Sequence, residues 1–295
     1  MIRGFLKRLP GLRPAVIWGR SLRNGARQWF LRCVAGRDGR RMRALHNAHK
    51  GQRAWVIGNG PSLTRLDLSL LADELTLGCN GLFLLFGELG WQPAYYLVED
   101  CFAAEDNAEA INNIHGPVKV FPRDLRRFLA PDDNTVYVDF VRGEYPGFPR
   151  FSEQCDRVMY WGGTVAYMML QMAHWLGCNP IYLIGMDMDY TVPDYVESDG
   201  TTIVSREADV SHFHPDYFGP GKRWHEPNVK CMQRCLGHAL ESLQARGVEV
   251  YNATRGGKLE RFPRVAYESV FREGELARET RETHERKRRR KGRQG

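Results

Sequence analysis

From Arg53 onward the chain alternates short apolar runs with turn residues and helical spacings. Ala54-Trp55-Val56-Ile57 is a compact apolar run that ends at a glycine, which predicts a buried strand. Leu75-Thr76-Leu77-Gly78-Cys79 predicts a second strand, stopping at Asn80-Gly81, and Ala94-Tyr95-Tyr96-Leu97-Val98 a third, stopping at Glu99-Asp100. Val118-Lys119-Val120-Phe121 and Val136-Tyr137-Val138 extend the series. Residues 63–71 read as an amphipathic helical segment. Residues 164–175 predict a helix, with Val165, Met168, Met169, Met172 and Trp175 at three- and four-residue spacings. Ile181-Tyr182-Leu183-Ile184 is the clearest strand, and a helix over 232–245 leads into a last strand, Val248-Glu249-Val250-Tyr251. Strands alternating with helices predict an α/β fold, a Rossmann-like, mostly parallel sheet with helices on both faces.

In such a sheet ligands gather beyond the carboxyl ends of the strands. Those ends carry Asn59, Asn80, Glu99-Asp100, Asp187-Met188-Asp189 and Asn252, which points to one site. Gly58-Asn59-Gly60-Pro61-Ser62 follows the first strand directly. Its glycines allow close backbone approach, and N–H groups at a helix start attract phosphate, so the turn reads as a nucleotide site. The alternative is a tight βα turn capped by Ser62. Gly162-Gly163-Thr164 opens the methionine-rich helix, either as a second anion- or ribose-binding turn or as a plain N-cap. Asp187 and Asp189 have a spacing suited to holding Mg²⁺ against a diphosphate; strand-end carboxylates also serve as caps. Residues 209–227 crowd histidine, lysine, arginine and aromatics into a glycine- and proline-rich loop without apolar period. There His212 is the candidate general base, and Lys222 and Arg223 are candidates to neutralise a departing phosphate.

Charge divides the 295 residues further. The net charge is +7, yet residues 1–50 hold 13 Lys/Arg against the single acid Asp38, residues 286–295 hold seven with no acid, and the residues between them are acidic in balance. We therefore divide the chain into a basic amphipathic arm (1–50), a nucleotide-binding catalytic domain (51–270) and a charged, basic tail (271–295). The arm mixes arginine with Phe5, Leu6, Trp18 and Trp29, a composition that suits either peripheral contact with an anionic membrane or a helical lid packed on the domain. An acidic centre without a nucleic-acid motif argues against specific nucleic-acid binding. No run of about 20 apolar residues and no cleavable leader is present, and seven scattered cysteines suit reduced thiols, so a cytoplasmic protein is expected.

Gly58-Asn59-Gly60-Pro61-Ser62-Leu63, Cys79-Asn80, Gly162-Gly163-Thr164, Ile181-Tyr182-Leu183-Ile184-Gly185-Met186-Asp187 and Ser211-His212-Phe213 occur in the order seen in bacterial sialyltransferases of the Campylobacter type. Together with Tyr95-Tyr96-Leu97-Val98-Glu99-Asp100, Ala104-Glu105-Asp106-Asn107, Gly221-Lys222-Arg223-Trp224 and Asn252-Ala253-Thr254, the set resembles still more closely the MptE-like family, named after archaeal 6-hydroxymethylpterin diphosphokinase. The resemblance spans roughly residues 51–270 and implies a Rossmann-like domain. On the sialyltransferase side it implies that Gly58, Asn59 and Asn80 hold a cytidine nucleotide, that Gly163-Thr164 borders the donor sugar, and that His212 deprotonates the acceptor. Tyr190 and Tyr195 are spaced differently from that family's phosphate-side tyrosines. On the pterin side it implies a Mg²⁺-ATP reaction recruiting Asp187, Asp189 and Lys222 or Arg223. The basic arms favour a glycosyltransferase-like enzyme that uses a CMP-linked acidic sugar and a glycan acceptor at the inner face of the cell membrane. The diphosphokinase, or a nucleotide-binding module without catalysis, is the alternative; a homo-oligomer is left open.

Overall fold

The structure, a computed structural model, describes residues 36–192 and 202–272. The arm up to residue 35, segment 193–201 with Tyr195, and the tail from 273 lie outside the described residues, and the membrane-contact reading of the arm lies there with them. The strands are β1 (Ala54–Ile57), β2 (Leu75–Cys79), β3 (Tyr95–Leu97), β4 (Val118–Pro122), β5 (Thr135–Val138), β6 (Phe140–Val141), β7 (Met159–Tyr160), β8 (Ile181–Ile184), β9 (Thr202–Val204), β10 (Arg223–His225) and β11 (Val250–Asn252). Seven of them form one sheet in the order β11-β8-β1-β2-β3-β4-β5, and every neighbouring pair is parallel. The chain builds outward from β1 to β5, then crosses back to place β8 and β11 on the other side of β1. The strand order therefore reverses between β1 and β8, which makes that edge the topological switch point.

The helices are α1 (Gly36–Ala44), α2 (Phe86–Leu89), α3 (Cys101–Asp106), α4 (Ala108–Asn112), α5 (Val165–Trp175) and α6 (Val229–Gln244). Buried residues of α5 and α6 pack with Val56, Leu77, Leu97 and Leu183 on one face of the sheet. The opposite face buries Trp55, Ile57 and Ile184 beneath Leu63, Leu71 and Tyr267, with α3 and α4 covering Tyr96, Phe121 and Tyr137 further along. Trp55, Tyr182 and Tyr251 are register partners on β1, β8 and β11 and stack in a row, at 4.8 and 5.6 Å between ring centroids; Phe271 and Tyr267 close over Trp55. The α/β, Rossmann-like reading of the sequence is the observed fold.

Two differences have local causes, and a third feature concerns the described end of the arm. Residues 63–71 form two 3₁₀ turns, Pro61–Arg65 and Leu68–Leu71, instead of one amphipathic helix, because the Asp67 carboxylate accepts from Ser69 N at 3.1 Å and starts a new turn. The last strand begins at Val250, not Val248, since Val248 N is still bonded to Leu243 O at 3.0 Å, beyond the left-handed Gly247 that ends α6. Residues 36–50 of the basic arm pack on the domain: Met42 is buried, its carbonyl accepts from Trp175 Nε1 at 2.8 Å, Arg41 donates to Thr135 O at 2.7 Å and Asp38 pairs with Arg123 at 2.7 Å. Among the described residues six cysteines are unbonded thiols, and no helix is long and apolar enough to cross a membrane.

Candidate functional site

The turn after β1 lies against the turn after β8. Gly60 N donates to Gly185 O at 2.9 Å, and Asp187 Oδ1 and Oδ2 accept from Ser62 N at 3.2 Å and Ser62 Oγ at 2.6 Å. A Cβ at Gly58 would stand 2.4 Å from Gly185 O, and one at Gly60 1.9 Å from Asp187 Oδ2. These glycines thus let two loops fuse at the switch point. The sequence reading expected the same N–H groups to attract a phosphate at a helix start; instead they head a five-residue 3₁₀ turn, and the anion beside Ser62 is the protein's own Asp187. Pro61 occupies the first position of that turn, where its missing N–H is not needed.

Beside this fused pair the ends of β1 and β2 present two amides. Asn59 is buried, its Nδ2 donating to Cys79 Sγ at 3.1 Å, and its Oδ1 has no partner. Asn80 sits in the left-handed region at φ +46°, a conformation asparagine tolerates; its carbonyl accepts from the Tyr96 hydroxyl, and its Oδ1 is likewise buried and unpaired. Buried carbonyl oxygens are rarely left so, and two on adjacent strand ends make this the candidate position for a ligand's hydrogen-bond donors. Tyr217 fills the space over Gly81, where a Cβ would lie 2.5 Å from its ring. Burial holds the Tyr217 phenol well above its ordinary value and pushes Tyr190 up to about 12, so both carry a proton at neutral pH.

His212 reaches the same place. Phe213 N donates to Asn59 O at 3.0 Å, which seats the histidine segment directly on the glycine turn. Ser211 Oγ accepts from Thr191 N at 2.9 Å, bringing Tyr190 to 6.1 Å from the imidazole, centroid to centroid. The imidazole stacks on Tyr217 at 3.9 Å and meets Phe218 edge-on at 5.1 Å. Its Nδ1 is 2.7 Å from Asp209 Oδ2, which also accepts from Phe218 N at 3.1 Å, while Oδ1 accepts from Ser211 N at 2.7 Å and His212 N at 3.2 Å. Burial works to raise the Asp209 pKa, but the hydrogen bond and charge of His212 and the backbone N–H groups hold it below the usual value. An ionised Asp209 bound at Nδ1 fixes the proton there and leaves Nε2 as the basic nitrogen.

Other expected site residues take different places. Lys222 Nζ donates to Asn107 Oδ1 and Asp216 O, each at 2.8 Å, and burial lowers its pKa. Arg223 pairs with Asp106 through its backbone N at 2.7 Å and its guanidinium, and with Glu105 at 3.1 Å, while lying over the Phe102 ring. Arg223 is held by carboxylates of α3, whereas Lys222 bonds only neutral oxygens, among them Tyr217 O at 3.4 Å, beside the ring that stacks on His212. Asp100 caps α3 through Phe102 N and Ala103 N and holds His225 at 3.0 Å. Thr164 caps α5, accepting from Ala166 N at 3.4 Å; because α5 runs back along the sheet, its cap and the left-handed Gly163 stand at the same carboxyl edge as Asn59. Gly162 has the Tyr167 ring where its Cβ would be, at 2.2 Å.

Asp187 is committed to Ser62, and Asp189 pairs outward with Lys258 at 2.7 Å. Among the described residues no group of three or more His, Cys, Asp or Glu side chains is arranged to hold a metal. The two carboxylates are directed to different partners, Ser62 and Lys258.

Asp209, Tyr217 and Arg142 are not singled out by the sequence reading, and Glu99 only as one of the strand-end pair Glu99-Asp100. Glu99, at the end of β3, is buried, and burial raises its pKa to about 7, opposed by Arg142, whose Nη1 lies 3.4 Å from the carboxylate. The available signal was the repeated polar residue at a strand end, which singled out the pair Glu99-Asp100 but not the buried member. Arg142 offers no sequence signal; it reaches Glu99 and Asp124 across 43 and 18 residues of chain.

Among curated proteins none matches the sequence. Among solved structures, the MAf glycosyltransferase from Magnetospirillum magneticum AMB-1 is similar over 76% of this chain and 35% of its own, at 16% identity and a TM-score of 0.49, so the chain spans about a third of that protein's length. The sialyltransferase CstII from Campylobacter jejuni is similar in complex with cytidine-5'-monophosphate, over 74% of this chain and 86% of its own at 14% identity and a TM-score of 0.40, and in complex with CMP-3FNeuAc, over 73% and 86% at 16% and 0.38. The profile of the family described as 6-hydroxymethylpterin diphosphokinase MptE-like matches residues 34–193, which include α1, β1 to β8 and both turns that meet at Asp187. With more than half of its 295 residues inside that match, the chain belongs to the MptE-like family.

Proposed function

We propose that this protein is a glycosyltransferase that takes a sugar from a nucleotide-linked donor, most directly a CMP-linked acidic sugar, and passes it to a glycan hydroxyl with His212 as base. The observation that carries the reading is the seating of the Asp209–His212 pair on the Asn59 turn, beside the unpaired oxygens of Asn59 and Asn80. Those oxygens match the hydroxyl and amino donors of a ribose and base. The choice of cytidine rests on the motif order shared with the sialyltransferases. In the reaction Nε2 takes the acceptor hydroxyl proton, the acceptor oxygen attacks the anomeric carbon, and the bond from that carbon to the phosphate oxygen breaks. The nucleotide monophosphate leaves with the electron pair. Tyr190, still protonated at neutral pH and 6.1 Å from the His212 ring, is assigned as a neutral donor to the developing phosphate charge.

The family's description favours a second reading, an ATP-dependent diphosphokinase. Titration calorimetry with CMP, GDP and ATP, each with and without Mg²⁺, separates the two. CMP binding that needs no metal is expected, and binding of ATP alone, only with Mg²⁺, would replace the glycosyltransferase reading. With a CMP-sugar and a glycan acceptor, His212→Ala is expected to lose about 10²- to 10⁴-fold in turnover while CMP affinity stays within about threefold. The cationic arm, on this reading, holds the enzyme near membrane-borne acceptors; deleting residues 1–35 is then expected to release it from anionic vesicles.

A further inference from the structure

On the far side of the Asp187–Asp189 turn lies a cleft of about 400 Å³ between α6 and the loop that follows β11, lined by Lys230, Gln233, Arg234, Lys258, Leu259, Glu260 and Arg261. Because α6 runs back along the sheet into β11, its first turns and this loop both stand at the carboxyl edge, as the Asn59 cluster does. Lys258 N donates to Asp187 O at 2.7 Å, so the aspartate turn is the partition between the two places.

The lining is charged in one sense. Four cations surround one acid, and that acid, Glu260, is already held by Arg264 at 2.8 Å. Lys258 pairs with Asp189 and Arg234 donates to Phe148 O at 2.6 Å, but among the described residues Lys230 and Arg261 have no carboxylate partner. Leu259, 1% exposed, gives the cleft an apolar base. Gly237 leaves room for one of these cations. A glycine inside a 16-residue helix is less favourable than alanine by about 1 kcal/mol, and here a Cβ would stand 2.0 Å from Arg261 Nη1 and 3.1 Å from its Cδ. The bare helix surface is what allows the Arg261 side chain to lie along α6.

We propose that this cleft is a second anion site, built for a diphosphate-bearing small molecule. Two cations come from the helix and two from the loop, which suits two linked phosphate groups better than one carboxylate, and the volume is that of a small-ligand pocket. The residues lie beyond the family match at 34–193, and the assignment does not depend on the glycosyltransferase reading. The test is titration calorimetry of the full chain with inorganic pyrophosphate at low salt, on the wild type and on Lys230→Ser/Arg261→Ser. Neither substituted side chain has an ion pair to lose, and circular dichroism of the double variant checks that the fold is kept. Wild type is expected to bind one pyrophosphate and the double variant at least about tenfold more weakly. CMP, titrated in parallel, reads the Asn59 cluster separately and is expected to bind both proteins equally. Pyrophosphate binding that is equal in the two proteins belongs to the arginine-rich termini and overturns the assignment, as does no binding to either.

Discussion

Gly60→Ala isolates what the fused turns contribute. Gly60 has φ −70° and ψ 158°, extended backbone that alanine adopts freely, so the added methyl acts only through space. Without contacts the change would stabilise the protein by about 0.4–1 kcal/mol through the unfolded chain. In place, the new Cβ falls 1.9 Å from Asp187 Oδ2, 2.5 Å from Cγ and 2.9 Å from Cβ, so the carboxylate must leave Ser62. Two hydrogen bonds to a charged, buried group are then lost, each contributing about 1.5–3 kcal/mol. The expected loss is about 3–5 kcal/mol, a large fraction of a typical domain stability of roughly 5–15 kcal/mol. Urea unfolding followed by circular dichroism measures it. In an Asp187→Ala background two of the three obstructing atoms are gone, and the same Gly60→Ala change is expected to lose less than about half as much. A Gly60→Ala protein within about 0.5 kcal/mol of wild type, or an equal loss in both backgrounds, would refute the account.

Glu99→Gln tests the buried carboxyl at the end of β3. A folded-state pKa of about 7 against an ordinary 4.5 means that the protonated form is favoured on folding; its contribution is fully present below about pH 4.5 and is lost as pH rises through about 7. The difference amounts to about 3 kcal/mol, so the variant is expected to gain stability relative to wild type at pH 8.5 and not at pH 4; a larger loss at pH 8.5 than at pH 4 would make Glu99 an ordinary ion-pair partner of Arg142. Asp209→Asn is expected to reduce glycosyl transfer by about 10²- to 10⁴-fold with CMP affinity unchanged, since Nδ1 loses the acceptor that sets its tautomer; equal transfer would remove Asp209 from the mechanism. Arg223→Lys is expected to lower stability by about 1 kcal/mol, because its pairs with Asp106 and Glu105 are partly exposed, and to leave CMP affinity within about threefold. A tenfold loss of CMP affinity at unchanged stability would return Arg223 to the phosphate.

The parallel sheet was legible because its strands are short apolar runs that each stop at a polar turn, and β1, β2 and β8 have the bounds expected from the residues alone. The ends of those runs also named Asn59 and Asn80, the aperiodic loop 209–227 named His212, and the structure joins the two places through the bond from Phe213 N to Asn59 O. What stayed illegible was who partners whom. No spacing in the sequence shows that Asp187 is bonded by Ser62, 125 residues away in the chain. Nor does it show that Asn107 and Asp106 fold against Lys222 and Arg223. Asp209 stands three residues from His212, yet its selection as the orienting carboxylate depends on a loop conformation that no periodicity encodes.

The stacked row of Trp55, Tyr182 and Tyr251 bears on how the chain is made as well as on how it is held. Trp55 belongs to the first of the described strands to leave the ribosome, while the rings that close over it, Tyr267 and Phe271, are among the last described residues to follow. Some two hundred residues of nascent chain therefore emerge before that face of the sheet is sealed. Until then the indole next to the glycine turn is open to chaperones, and its fluorescence in ribosome-bound chains of increasing length reports when the sheet is complete.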